Sequence, residues 1–383
     1  MPPTDARPCR TATPGARPLP GTTPRLGLVR ALASLRLTLV IMPLLGAAIL
    51  WSYDGATPVT WAIALPLGLL ALNLGAAILS NPVFRREAPL MVFHVALLAV
   101  VVLAAAGRLS YMKGWAEVAE GTAFDGRLTG GETGPLHPWG LRDVVFFNEG
   151  FEIDYGPGPR RGDTRNRVRW KGGDGFWRSA VIGDQDPLIL DGYRFYTSHN
   201  KGFAPLLAWR PDGGGAERVG TVHLPSYPAH EHRQTTTWRP PGAREPLWLM
   251  LSIEETLLPA DRASRFRLPE RPVLVVRRGE DRHELLPGDR LVLDDGVLSY
   301  QGLRAWMGYK IYWDPTLPWL LAACLVAVGS LGWHFAVRFA SRPWRTDLDA
   351  GAGPGAAQTP AAPAAQRRVP AGGPRGWLRG PAR

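Results

Sequence analysis

Four stretches of this chain carry no Asp, Glu, Lys or Arg and are long enough to cross a hydrocarbon layer, and nothing else in the sequence restricts its fold as strongly. They are Leu37–Tyr53, Val59–Leu79, Ala88–Gly107 and Leu317–Val337. A spanning helix needs about 20 mainly apolar residues, because lipid offers no partner to an unpaired backbone N–H or C=O. The first run is the shortest and carries Pro43. A cleaved signal peptide fits it poorly, since a polar stretch of residues 1–36 precedes it and a second span follows closely. Three spans are therefore expected over 37–107 and a fourth over 317–338.

The formal charge of +11 is distributed in a way that excludes nucleic acid as a partner. Residues 1–36 hold six Arg against Asp5, the turn before the third span holds Arg85 and Arg86 against Glu87, and residues 338–383 hold eight Arg against Asp347 and Asp349. The first turn carries only Asp54, and segment 108–316 has 28 basic and 28 acidic residues. All the excess thus falls on one side of a four-span topology, the positive-inside pattern, which places both termini in the cytoplasm. A nucleic-acid surface needs the charge on a folded face. Cys9 and Cys324 are the two cysteines, so the segment 108–316 has neither a disulfide nor a Cys-based metal site.

Five segments follow: a basic, disordered cytoplasmic tail at 1–36, three transmembrane helices at 37–107, an extracytoplasmic β-rich domain at 108–316, the fourth helix at 317–338, and an Ala/Pro/Gly-rich disordered cytoplasmic tail at 339–383. Within 108–316, short β-branched or alternating runs recur between turn residues: 143–147, 151–155, 193–198, 218–224, 247–253 and 272–278. Asp295-Gly296, between two alternating runs, predicts a tight hairpin. Many short strands with Gly and Pro turns predict a sandwich or open barrel. The stretch 235–246 is expected to be a connecting loop, and the glycine-rich 211–218 a hairpin loop.

Soluble-enzyme signatures are absent: there is no GxSxG, P-loop, HExxH or CxxCH. His230-Glu231-His232, with His223 nearby, has metal-ligand residue types, but the flanking Pro228 and polar residues favour a surface loop. His137 and His199 flank strands, and His283 is expected in a turn. His334 lies near the cytoplasmic end of the fourth span, within reach of the interface. Trp51, Trp61, Trp319 and Trp333 sit at span ends, where indole prefers the interface. His94 differs from the other histidines. An ionisable ring inside a span is costly and faces a bundle interior, a partner or a cofactor. Two roles are open to it: axial ligand to haem iron, or hydrogen bonding to a neighbouring helix.

The order of these features resembles the ResB (Ccs-type) family of System II cytochrome c biogenesis. The resemblance rests on "LASLRLTLV" (32–40), "LNLGAAILSNP" (72–82), the early His in "FHVALL" (93–98), "LDGYRFYTSHNKG" (190–202) and "YQGLRAWMGYKIYWDPTLPW" (300–319), and it covers roughly residues 30–340. It implies a multi-pass protein of the bacterial cytoplasmic (inner) membrane. Its implied role is to bind haem b transiently, carry it outward and, with a ResC/CcsA-type partner, support its attachment to apocytochrome c. It further implies that His94 is an axial ligand to the haem iron, opposite a His of that partner. The tryptophan-rich haem-handling motif of the partner is absent here, and the loop at 54–58 is very short. The resemblance therefore implies an accessory rather than a catalytic subunit. Two other classes remain: a cofactor-free scaffold whose outer domain docks assembly partners, and a membrane-anchored enzyme whose site would gather His199, Asp191 and Glu254.

Overall fold

The structure is a computed structural model and describes residues 29–53 and 60–340. The expected tails before residue 29 and after 340, and the turn at 54–58, lie outside the described residues. Four helices are long and apolar enough to cross a membrane: α1 (Leu35–Ser52), α2 (Thr60–Ser80) and α4 (Ala88–Ser110) before the β-rich region, and α5 (Leu317–Ala340) after it. Between α2 and α4 lies one short turn of helix, α3 (Pro82–Arg86). Asn81 starts it, accepting the Val83 N–H at 3.0 Å, with Pro82 in the first turn, where a missing N–H costs nothing.

Helix α2 packs against both α1 and α4. Apolar side chains gain little from associating in lipid, so polar contacts and small residues hold such bundles. Asn73, buried in α2, supplies the polar contact: it accepts the Thr38 hydroxyl at 2.7 Å and donates to the carbonyls of Leu32 and Ser34 at 2.6 and 3.1 Å. Gly107, in the last turn of α4, supplies the close approach. A Cβ there would lie 2.7 Å from the Thr316 Oγ1, just ahead of α5.

The region between α4 and α5 consists of three antiparallel sheets. Two long strands, Tyr193–Pro211 and Gly296–Trp313, pair along most of their length and form the spine of a seven-stranded sheet. Strand Met112–Ala119 flanks the spine, with Met112 opposite Trp313, so the residues leaving α4 and those entering α5 are ladder neighbours. One end of the spine packs on a five-stranded sheet through Phe195, Tyr309 and Ile311 against Phe146, Ile153 and Val168. The other end packs on a four-stranded sheet through Leu207, Trp209 and Leu298 against Leu249, Leu274 and Val276. Burial of each such side chain contributes about 1.5–3 kcal/mol. The predicted sandwich is thus two sandwiches sharing one pair of strands. A buried polar chain runs through the first: the Tyr309 hydroxyl donates to Asn166 (2.7 Å), Asn166 to Asn148 (2.7 Å) and to the Gly150 carbonyl (2.9 Å), and Asn148 to the Val118 carbonyl (2.9 Å).

Several local expectations are corrected. Asp143 ends a 3-10 turn, and the strand begins only at Phe146. Thr235–Trp238 is a strand paired with Leu247–Ser252, so the loop is confined to 239–246; three successive Thr fit a pleated surface. His283 lies in a strand opposite Val276 rather than in a turn. The hairpin exists, but its loop is Asp294–Asp295, because Leu293 pairs with Gly296. Asp295 is held there by the Arg244 N–H at 2.9 Å and the Arg278 guanidinium at 3.2 Å. Gly296 is needed for contact, not for the turn: a Cβ would collide with the Arg210 carbonyl oxygen. The glycine-rich 211–218 does form a hairpin loop, joining strands Tyr193–Pro211 and Arg218–Thr221.

Candidate functional site

His94 lies in the second turn of α4, half-buried. Its Nδ1 is 2.8 Å from the Leu90 carbonyl oxygen. A carbonyl only accepts, so Nδ1 carries a proton and donates to it. No hydrogen-bond partner for Nε2 occurs among the described residues. The bond runs within one helix, so the ring does not tie α4 to a neighbour. Phe84, from α3, covers it at 4.4 Å between ring centres, and Phe93 meets it edge-on at 5.2 Å. A ring fixed through one nitrogen by a backbone carbonyl, with the other nitrogen open, is the usual arrangement of a metal-ligating imidazole. Glu87 caps the N-terminus of α4, two turns before His94, and its carboxylate is 3.6 Å from the His334 Nδ1 on α5. Phe84 is not identifiable as a neighbour of the ring from sequence.

The remaining histidines divide by their partners. His137 is buried at the junction of α4 with the β region. It donates from Nδ1 to the Ser110 carbonyl at 3.2 Å, which leaves Nε2 to accept the Tyr193 hydroxyl at 3.0 Å. Burial holds its pKa below the usual histidine range. Both nitrogens are used, so this ring is structural. His223 bonds Glu117 at 3.0 Å and stacks on Trp306 at 5.5 Å. It shares a cleft with His230, yet among the described residues no group of three or more His, Cys, Asp or Glu has metal-binding geometry. The His230–Glu231–His232 turn does not form such a group.

His199 lines a cleft of about 520 Å³ beside the ends of α4 and α5. The acidic residue in that cleft nearest to it in the sequence is Asp184; Asp191 and Glu254 are not among its walls, so the trio of the anchored-enzyme reading does not assemble there. Behind the cleft lies a cluster with no sequence signal. Lys201 is 3% exposed and in no ion pair among the described residues; its Nζ donates to the His199 carbonyl at 3.3 Å and lies 5.2 Å from the Tyr155 ring centre. Burial, then the charge of Arg161, lower its pKa to about 8. Arg161 bonds Asp184 at 2.8 Å and the Ser198 carbonyl at 3.2 Å.

Three N-terminal spans, one C-terminal span and an intervening domain of antiparallel sheets define a multi-pass membrane protein with a large domain outside the lipid. The model of the ResB-like family matches residues 83–344, more than half of the chain. The chain therefore belongs to the ResB-like family, which is associated with cytochrome c biogenesis. No curated protein matches it significantly.

Proposed function

We propose that this chain is the haem-delivering half of a membrane cytochrome c synthetase. It would receive haem b at the cytoplasmic face of the bacterial inner membrane and pass it outward. With a ResC/CcsA-type partner it would support attachment to apocytochrome c. The observation that carries this reading is the geometry of His94, an imidazole with Nδ1 bonded to the Leu90 carbonyl, Phe84 packed on the ring and no hydrogen-bond partner for Nε2 among the described residues, within a chain of this family. The charge pattern favours an inward-to-outward α4, since Arg85 and Arg86 precede it. His94 is then about 10 Å into the membrane at 1.5 Å per residue, in the cytoplasmic leaflet, where arriving haem would first meet a ligand.

The test is the absorption spectrum of the complex co-purified with the partner. His94→Ala should remove the Soret band at similar protein level, and added imidazole should restore part of it. An unchanged haem content would defeat the proposed ligand. A complex that carries no haem even as wild type, yet matures cytochromes, would favour the docking scaffold. A reporter active only outside the cytoplasm should work when fused near residue 200 and fail when fused after 345. The reverse would overturn the orientation.

A further inference from the structure

The cleft beside the ends of α4 and α5 carries a pattern that the membrane site does not explain. Across its floor, Arg194 pairs with Tyr312 and Tyr196 with Lys310, all on the outer face of the spine, while the alternate residues Phe195 and Ile311 are buried in the core. Tyr196 and Tyr312 meet diagonally, edge to face, at 6.0 Å. The same face continues onto the next strand, where Lys113 lies opposite Tyr312 and Trp115 opposite Lys310. Basic and aromatic side chains therefore alternate in both directions.

The charges of this cleft are unevenly committed. Its two carboxylates are occupied: Asp184 by Arg161 at 2.8 Å and the Thr197 hydroxyl at 2.5 Å, and Asp314 by the Thr316 N–H and hydroxyl at 2.8 and 2.7 Å. Arg194 and Lys310 enter no ion pair among the described residues. The cleft thus offers two free cations between aromatic walls, at the point where the chain leaves the apolar spans.

His199 is brought to this cleft by a bulge. Met307 pairs with Lys201 and Tyr309 with Thr197, so three residues, Ser198–Asn200, face the single residue Gly308. A Cβ on Gly308 would lie 2.6 Å from the Ser198 Oγ and 2.8 Å from the Asn200 carbonyl, so only glycine leaves room for the bulge. Bulges of this kind re-aim a side chain. The His199 ring is exposed and its nitrogens have no hydrogen-bond partner among the described residues. Partial desolvation and then the Arg161 charge lower its pKa, which favours the neutral ring.

A ligand that uses all of these features is flat and conjugated, carries two carboxylates and accepts an imidazole. We infer that this cleft is an outer haem site, with His199 as an iron ligand and Arg194 and Lys310 receiving the propionates. The identity of the cargo rests on the function proposed above, but the site is separate from His94. A volume of about 520 Å³ lies within the usual range for small-molecule sites. An anionic lipid headgroup shares the charge requirement but uses neither the imidazole nor the stacked rings.

The test uses the full-length protein in detergent with His94→Ala in the background, titrated with ferric haem while the Soret band and tryptophan emission are followed. Haem should still bind. Adding His199→Ala should abolish the ligated Soret shift, and Arg194→Gln with Lys310→Gln should weaken binding at least tenfold. Metal-free protoporphyrin should be weakened by the charge variants and indifferent to His199→Ala. If the His94→Ala protein shows no haem binding that depends on His199, the outer site is refuted while the membrane ligand stands. If phosphatidylglycerol micelles displace the porphyrin and His199→Ala changes nothing, the cleft is a lipid headgroup site and the inference fails. If His94→Ala leaves co-purified haem intact and His199→Ala removes it, the outer site stands and the membrane ligand falls.

Discussion

Replacing Lys201 with methionine should make the protein more stable, and by an amount that depends on pH. The ammonium is 3% exposed and in no ion pair among the described residues, and its pKa falls from 10.5 to about 8. Lowering a pKa by one corresponds to about 1.4 kcal/mol, so burying the charged form costs about 3 kcal/mol near neutral pH. The Tyr155 ring at 5.2 Å returns part of this as a cation–π contact of about 1–2 kcal/mol, leaving a net penalty of about 1–2 kcal/mol. Because the folded-state pKa is depressed, the unfolded chain holds more protons between pH 8 and 10.5, and stability rises with pH across that window. The penalty is complete below about pH 8 and gone above 10.5. Methionine fills a similar volume without the charge. Thermal unfolding of the full-length protein in detergent, followed by tryptophan emission, should give Lys201→Met a higher Tm at pH 7, by about 2–8 °C at about 2–4 °C per kcal/mol. The gap should close towards about pH 10. A Met variant less stable at pH 7, or a gap that ignores pH, would refute the reasoning.

Asn166→Ala strands the Tyr309 hydroxyl and the Gly150 carbonyl at fully buried positions, and should cost about 2–6 kcal/mol at about 1–3 kcal/mol per unpaired group. Tyr309→Phe removes only one donor and should cost nearer to about 1 kcal/mol; equal losses in denaturant unfolding would contradict the network. Asn73→Leu should loosen α1 from α2 by about 1–2 kcal/mol in detergent-induced unfolding, and a neutral result would mean that the bonds to Thr38, Leu32 and Ser34 hold nothing together. Gly107→Leu should drive the end of α4 from Thr316 at a cost of about 1–3 kcal/mol, read as a lowered Tm; wild-type stability would show that the junction has room to spare.

The spans are legible in the sequence because exclusion of charge over about 20 residues has one physical explanation, and the strands because β-branched residues and turn residues alternate. The length of the spine is not legible. The expected strand at 193–198 stops at the polar run His199-Asn200-Lys201, and Pro205 lies ahead, a residue that normally signals an edge or a break. In the fold the strand absorbs the first in a bulge and continues through Pro205, opposite Leu303, to Pro211. Whether a polar run ends a strand depends on the facing residue, here Gly308, far away in the chain. The burial of Lys201 is hidden in the sequence for the same reason.

His94 stands out because its cost in lipid is local, whereas His199 carries no such signature: an exposed histidine between strands looks the same whether it faces solvent or a cleft. The two rings differ in what the fold provides for them. His94 has one nitrogen fixed by Leu90 and a cover of phenylalanine. His199 has the free cations Arg194 and Lys310 beside it and open access. The length of α4 from His94 to Ser110 is about 24 Å at 1.5 Å per residue, so one porphyrin cannot be held by both rings at once. Under the proposed function they would be successive stops. A ligand that holds the metal without neutralising the propionates suits brief residence, while a site that also engages the carboxylates draws the cargo outward. A tenfold preference for the outer stop needs only about 1.4 kcal/mol, within what one charge-assisted hydrogen bond supplies.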